Sequence, residues 1–526
     1  MNRIATYCMI VWMVAVTAAI HARDIQTNIP VVELDFDTLG TDTFFMGQMR
    51  LITPCDTMIR IDTIICPDSI ILNDTVIRID TTIIDPDTLI HVDTLVVQDT
   101  LIRVDTLVVK DTITIDTMRL RILIRHRGSS SLVYKKQSFA IKLIDSLGAK
   151  LETSLLGMRN DNYWILDAMA PDKARMRNRV AFDLWLDFSS KPHYYEKEPE
   201  LVNGINGQFV EVNVNGKYNG LYCLMERVDR KQLKLKKMKD GVVRGILYKS
   251  VRWRYGFFSV GLPSYNTQSE TWGCYDFQYP DTAGYIPWKP LYDNMRFAIR
   301  STNKQFLEQA PLRYDLPVLI DLYLFNALLS ARDGMGKNLF VSYYNITNDS
   351  MLVVTPWDID HSFGRMYNGN EEDPETEFTD WALRLYPRLE QCDESYIASR
   401  NARYAALRHE QFSAHALKER FAQYFELFRQ TGADLREEQR WGGIDKIDLD
   451  FAAEEQYIYK WIDQRLAFCD NFFNYISSVT TALPEAADPS NSHSENCSPV
   501  SKELINGHLY LRKGEQLYDL QGWRVR

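Results

Sequence analysis

Apolar residues along the chain fall into runs of different period, and each period predicts a different kind of element. Tyr7 to Ile20 is almost unbroken apolar sequence behind Arg3, and small residues follow as far as Ala22. A charged start, a short apolar run and a small-residue end are the pattern of an export signal, so residues 1–22 are expected to be cleaved before Arg23. The run is too short for a comfortable membrane span. Farther along, Asp-Thr or Asp-Ser begins at 56, 62, 68, 74, 80, 87, 93, 99, 105, 111 and 116, and most steps are six residues. Side chains alternate in an extended chain, so a six-residue unit presents the same residue to the same face each time. The β-branched residues of units such as Asp-Thr-Leu-Ile-Arg-Val favour strand, and no helical period fits. A β-rich stalk over residues 23–117 is the preferred reading. A left-handed β-helix is disfavoured because the repeat has no Gly for tight corners, and a strand ladder that pairs with a partner is a third reading. The Asp-Thr pairs either bond their own backbone or hold calcium weakly.

From Met118 the pattern becomes that of a globular body. Arg119 to Arg125 alternates as a strand, Arg127-Gly128-Ser129-Ser130-Ser131 breaks it, and Lys135 to Leu143 forms a second strand. Trp164 to Ala168 is followed by a helix holding Arg177-Asn178 and Ala181 to Trp185. Gln208 to Val214 and Gly220 to Met225 read as a hairpin around Asn215-Gly216-Lys217, ending at Glu226-Arg227. After Gly364 the apolar spacing shifts to three and four residues, which predicts helices within Phe378–Leu389, Ala402–Arg429 and Phe451–Ile476. The aromatic residues in them read as core. Residues 477–502, rich in Ser, Thr, Pro, Ala and Asn, read as a linker. Residues 503–526 carry two short alternating strands and a Gly turn, too little to fold a core alone. The whole is an α+β chain with a β-rich N-terminal part and a helical C-terminal part.

Composition narrows the chemistry. The 526 residues leave room for about two to four modules, and 45% hydrophobic with 25% charged content is that of a soluble globular protein. A net charge of −10 argues against a general nucleic-acid binder. Glu226 to Gly256 is nonetheless basic, with 11 Lys or Arg against 3 acidic residues. It is either a solvated face or a wall that attracts phosphates or an acidic protein. The cysteines are scattered without a CxxC and read as structural thiols; only Cys55 and Cys66 are close enough in sequence to suggest a bridge.

Candidate chemistry concentrates in residues 332–364. Arg332-Asp333 followed by Asn338 has the spacing of a kinase catalytic loop, where the Asp accepts the proton of the attacking hydroxyl and the Asn holds a metal. Downstream, a strand ends in Trp357-Asp358-Ile359-Asp360, followed by Phe363-Gly364. Two acids two apart on a strand point the same way, so both could reach one ion. The structural alternative is a loop Asp capping a helix plus a buried Trp-Asp pair. Paired carboxylates also serve two-metal phosphoester hydrolysis. On the N-terminal side, Arg and Ser donors on the Gly turn (Arg127, Ser129) and the strand-borne Lys142 suit a nucleotide's phosphates, although hairpin turns use the same residues.

Taken in order, Arg127-Gly128-Ser129-Ser130, Lys135-Lys136, Lys142, Trp164, Arg177-Asn178, Asn215-Gly216-x-Tyr218-x-Gly220-x-Tyr222, Glu226, Asn338 and Trp357-Asp358-x-Asp360-x-x-Phe363-Gly364 resemble the CotH kinase family. The resemblance covers about residues 119–475 and includes Trp461 and Arg465 in a late helix. It implies an atypical protein-kinase-like fold over 118–476 that transfers the γ-phosphate of ATP to Ser (or Thr) of secreted or surface proteins, with Mg²⁺ or Mn²⁺. Carried over by position, Lys142 pairs the nucleotide phosphates and Glu226 orients that Lys or contacts the nucleotide, beside Arg127 and Ser129. Asp333 is the catalytic Asp, and Asn338, Asp358 and Asp360 surround the metals. The chain departs from the family pattern at Met169-Ala170-Pro171-Asp172, where an Asp-Ser is common, and this weakens the capping argument for the following helix. The end of the chain resembles the small C-terminal sorting modules of Bacteroidetes secreted proteins, or is a strand pair docked on the body. Together with the signal it implies export to the periplasm, cell surface or medium, with no transmembrane segment after signal removal and no nucleic-acid partner. Kinase-like groups also contain members without activity, so a catalytically inactive surface binding or adhesion protein is the alternative.

Overall fold

The computed structural model of the chain describes residues 28–53, 95–97, 100–102, 116–252, 261–281, 285–378, 385–476, 500–505, 508–513, 516–518 and 524–525. The expected signal, most of the repeat, Cys55 and Cys66, and nearly all of the expected linker lie outside the described residues.

Seven strands close into a barrel. They are β1 (Val31–Asp35), β2 (Phe45–Thr53), β3 (Asp116–Arg127), β4 (Ser138–Ile144), β5 (Tyr163–Asp167), β6 (Gly207–Val214) and β7 (Lys217–Met225). Around the barrel the order is β1-β6-β7-β5-β4-β3-β2. β1 runs parallel to β6 and the other neighbours are antiparallel. The two-residue period puts Phe139, Ile141 and Leu143 of β4 inside, against Val32, Leu34, Ile122, Ile124, Trp164, Leu166, Val210, Val212 and Tyr222. Because a one-residue offset moves a side chain to the other face, the same register sets Lys142 outside the barrel.

β1 and β2 fall within the stretch that the sequence assigns to a stalk. They pair with each other, but their other partners are non-local, Val31 opposite Glu211 and Leu51 opposite Met118, so nothing in their own short patterns marks them as part of the body. The register of β2 on β3 pairs Thr53 with Asp116. Residues 54–115, which carry nearly all of the repeat, therefore leave and re-enter the body at one end of an antiparallel strand pair. Within them Leu95–Val97 and Thr100–Ile102 pair antiparallel.

The second part combines a five-stranded sheet with helices. Its strands are β8 (Ile246–Ser250), β9 (Thr271–Trp272), β10 (Tyr275–Tyr279), β11 (Leu339–Asn345) and β12 (Asp349–Pro356), in the order β9-β10-β8-β11-β12. The helices are α1 (Arg177–Phe188), α2 (Lys289–Arg300), α3 (Asn303–Arg313), α4 (Leu316–Leu329), α5 (Asp333–Gly336), α6 (Leu385–Cys392), α7 (Glu394–His409), α8 (Ala414–Thr431), α9 (Ala433–Trp441) and α10 (Phe451–Phe472). α4 is apolar on every side and buried on every side, which makes it the axis of this core. Phe209, Cys223 and Met225, which point out of the barrel, join the same core, so β6 and β7 bury both faces.

The expected α+β architecture is observed, β-rich first and helical later. The helix expected over 402–429 is two helices, because Ser413 accepts from the Ala416 amide (3.2 Å) and starts α8 afresh. α10 starts where Asp450 accepts from the Ala453 amide at 2.9 Å and ends at Phe472. At the end of the chain Val500–Ile505, His508–Lys513, Gln516–Tyr518 and Arg524–Val525 form a four-stranded antiparallel sheet, two strands more than expected.

Candidate active site

Buried α4 ends on Ser330 in the left-handed conformation (φ 52°), which turns the chain sharply into Arg332-Asp333 and the short α5. Gly334 is required directly after Asp333, since a Cβ there would lie 2.0 Å from the Asn326 Oδ1 of α4. Asn338 follows at φ 53°, a conformation that Asn tolerates better than most residues. Its Nδ2 donates to the Asp358 carbonyl at 2.9 Å, and its own carbonyl accepts from the Trp357 amide at 2.9 Å. The two segments singled out in the sequence are thus bonded to each other.

Asp358 and Asp360 do not share a strand face, contrary to the expectation from their spacing. β12 ends at Pro356, and Asp358 has φ 58°, so the pair sits on a turn beyond the ladder. What gathers the acids is His361. Its Nε2 lies 3.5 Å from Asp360 and its Nδ1 3.8 Å from Asp333, which also pairs with Lys337 at 3.0 Å. Burial pulls the imidazole's pKa down, but Asp360, Asp333 and Asp358 outweigh it and raise it to about 9. Burial pushes Asp360 up, His361 opposes, and the like charges of Asp358, Asp167 and Asp172 add to the rise, to about 7. For Asp333, burial would raise the pKa, yet His361 and Lys337 hold it below the usual carboxylate range.

Asp167, at the end of β5, is a site residue that the sequence reading did not assign. Its carboxylate accepts from Ser138 Oγ, the Met169 amide and Asn178 Nδ2, each at 3.2 Å. Burial raises its pKa, Arg127 lowers it, and Asp358 raises it again, which places it beside the other acids. Asn178 also accepts from the Ile359 amide at 2.9 Å, so one side chain ties the barrel acid to the Asp358–Asp360 turn. The signal for it was present in the Arg177-Asn178 pair.

A buried ionic network fixes that turn. Arg177 donates to Asp172 and Glu454, both at 2.6 Å, and to the Ser362 carbonyl at 3.0 Å, while Arg365 donates to Glu454 at 2.9 Å. Tyr457 donates to the Gly364 carbonyl at 2.5 Å. Gly364 has φ 89°, and a Cβ there would meet Trp461 at 2.8 Å, so glycine is dictated by contact as well as by conformation. Asp172 also caps α1, accepting from the amides of Met176 (2.9 Å) and Arg177 (2.8 Å). The cap that the departure from the family pattern put in doubt is supplied by this one carboxylate.

The expected nucleotide residues separate. Lys142 stands over the rings of Phe44 (4.2 Å) and Tyr163 (5.3 Å) on the outer face of the barrel. Glu226 is buried and accepts from the Arg159 amide (3.0 Å), Asn206 (3.3 Å) and Gln232 (3.4 Å), and it makes no ion pair with Lys142. A buried Lys–Glu pair exists elsewhere: Lys136 meets Glu437 of α9 at 2.5 Å, with Arg175 on the same carboxylate at 2.7 Å. Burial pulls Lys136 down to about 7 even against the attraction of Glu437. Ser129 is exposed and starts a short turn with no side-chain cap bond. Arg127, at the end of β3, stands 5.2 Å over the Trp357 ring and acts on Asp167, and it therefore does reach the acids. In the same loop, burial and the charges of Asp360 and Asp445 raise the Tyr134 phenol, and the Lys135 amide donates to Asp445 at 2.7 Å.

Among the described residues no three carboxylate, imidazole or thiol side chains form a ready-made metal centre. The donor chemistry nevertheless suits a hard divalent cation, which takes carboxylate and amide oxygens. Asn338 commits its Nδ2 to the Asp358 carbonyl, and its Oδ1 has no donor among the described residues.

A family model described as CotH kinase protein matches residues 124–469. Inner spore coat protein H of Bacillus subtilis (strain 168) is 24% identical over 262 residues, which cover 48% of this chain and 62% of that protein. The chain thus spans less than two thirds of the length of that relative.

Proposed function

The chain belongs to the CotH kinase protein family, and on that premise we propose that it transfers the γ-phosphoryl group of ATP to a Ser or Thr hydroxyl of a secreted or surface protein. The observation that carries this reading is the gathering of Asp333, Asp358 and Asp360 about His361, opposite Asp167 and Arg127 at the barrel's edge. In the reaction the acceptor oxygen bonds to the γ-phosphorus as the bond from that phosphorus to the β,γ-bridging oxygen breaks. ADP leaves with the electron pair, and the hydroxyl proton passes to the Asp333 carboxylate. Asp333 suits that role because His361 and Lys337 keep it ionised, hence able to accept a hydrogen bond from the hydroxyl. Mg²⁺ or Mn²⁺, held by Asp358, Asp360 and the Asn338 Oδ1, would neutralise phosphate charge. His361 keeps Asp333 apart from Asp360 in function, because each carboxylate faces a different nitrogen of one ring.

The test is incorporation of labelled phosphate into the purified full-length chain and into Ser-containing proteins, with Mg²⁺, Mn²⁺ or EDTA. Metal-dependent labelling that Asp333→Asn abolishes is the expected result. ATP binding without any transfer would leave the second reading, a kinase-like binding protein at the cell surface. That reading is favoured by the export expected from the Met1–Ala22 segment, because ATP is scarce outside the cytoplasm. The name of the Bacillus relative supports a surface location, as does the apolar run at Tyr7–Ile20. No helix among the described residues is long and apolar enough to cross a membrane. Sequencing the N-terminus of protein from envelope and medium tests export: Arg23 is expected, and an intact Met1 in the cytoplasm would refute it.

A further inference from the structure

Lys249, on the central β8 strand, belongs to the basic stretch that the sequence left open between a solvated face and a phosphate-attracting wall. Its Nζ stands 5.3 Å over the Trp357 ring, the same indole that Arg127 covers at 5.2 Å. Two cations on one ring, both half-buried, repel each other unless an anion joins them. Some buried or half-buried cations of the fold have a carboxylate in contact, as Lys136 with Glu437 at 2.5 Å and Lys231 with Asp161 at 2.6 Å, and buried Arg465 is met by the carbonyls of Ala327, Pro374 and Thr376. Among the described residues neither Lys249 nor Arg127 forms an ion pair. The nearby acids, Asp358 and Asp276 for Lys249 and Asp167 for Arg127, act on them only at longer range. Burial and the Arg127 charge lower the ammonium's pKa, which is the signature of a cation short of a partner. The platform is rigid, since the Trp357 amide is held by the Asn338 carbonyl at 2.9 Å and its ring meets Phe340 edge-on at 5.5 Å.

We propose that Lys249 and Arg127 form the seat of the nucleotide's phosphate chain, on the Trp357 indole beside Asp358, and that Lys249 does the work the family resemblance assigns to Lys142. The proposal rests on the phosphotransfer reading and names a residue within it. A tetrahedral phosphate offers several acceptor oxygens, enough for the planar guanidinium and the ammonium at once. It also arrives next to the carboxylates that would hold its metal. Lys142 shares the Tyr163 ring with Arg227 (5.3 and 4.4 Å), but among the described residues no carboxylate pairs with it and Phe44 covers its other side.

Calorimetric titration of the full chain with ATP, AMP and inorganic tripolyphosphate, in Mg²⁺, tests this. Lys249→Met is expected to weaken ATP and tripolyphosphate at least about tenfold and leave AMP within about twofold, while Lys249→Arg retains most of the affinity. Lys142→Met is expected to change ATP affinity by no more than about twofold. If Lys249→Met does not fold, Lys249→Gln and Arg127→Gln carry the same comparison. Wild-type affinity for ATP in the Lys249 variants, with loss in Lys142→Met, would overturn the seat and leave the kinase reading standing. Lys249-dependent tripolyphosphate binding without phosphoryl transfer would keep the seat and sink the kinase reading. A wild-type chain that binds neither ATP nor tripolyphosphate would overturn both.

Discussion

Asp333 and Asp360 face opposite nitrogens of His361 and are held in opposite protonation tendencies, one low and one high. This asymmetry divides their work and makes mutants separable. Asp333→Asn is expected to lower turnover by about 10² or more, the scale of a lost general base, while metal-dependent ATP binding persists. Asp360→Asn is expected to weaken ATP binding and turnover together, and to raise the melting temperature in EDTA by relieving repulsion among Asp358, Asp360 and Asp167. Titration calorimetry and melting curves distinguish these. If Asp333→Asn loses binding while Asp360→Asn keeps both properties, the roles assigned here are wrong. A purely structural pair would instead melt lower in EDTA, with activity falling only in step with folding.

Helices and strands are joined by buried charge, and two such joints give predictions at the level of elements. α9 meets the barrel through Glu437, which takes Lys136 (2.5 Å), Arg175 (2.7 Å) and the Leu221 amide (2.7 Å). Removing one partner of a buried pair strands the others, so Glu437→Gln is expected to destabilise by about 3 kcal/mol in urea titration. A loss below about 1 kcal/mol would mean that water reaches the stranded cations. At the other joint, His193 meets Asp315 before α4 at 3.2 Å and Asp349 at the start of β12 at 2.5 Å. Burial lowers its pKa, but the two carboxylates prevail and raise it from 6.5 to about 9. Since the folded value is the higher one, this stabilisation is complete below pH 6.5 and is lost as the pH rises through 9. Melting temperatures of wild type and His193→Gln should therefore differ at pH 6 by about 2 kcal/mol of stability and converge near pH 10. A difference that does not change with pH would exclude the charge pair as its cause.

At the scale of the molecule, the register of Thr53 on Asp116 makes the repeat an insertion whose two ends touch. None of the phosphate-handling residues lies in it. Replacing residues 54–115 by a short turn is expected to preserve the ATP-dependent thermal shift and to raise intrinsic stability by on the order of 2 kcal/mol, the closure entropy of a long loop. A folded variant without the shift would show that the repeat contributes to the site. Cutting instead at 50–116 would remove the end of β2 and break barrel pairing, a boundary that the six-residue period by itself does not reveal.

Local chemistry set what was legible in advance. Period-two alternation located β3, β4, β6 and β7, three- and four-residue spacing located the late helices, and the Arg-Asp, Asn and Trp-Asp-Ile-Asp segments located the acids. Each depends on residues near one another in sequence. Contacts between distant segments decided the rest. Barrel closure recruited β1 and β2, α1 brought Asn178 to both Asp167 and the Asp358 turn, and the five-stranded sheet set Lys249 over Trp357. Lys142 matched by strand position, yet the face it occupies follows from which neighbouring residues fill the barrel. A sequence carries the identity of a charge, but which charges meet depends on burial and register, and those exist only once the chain has closed on itself.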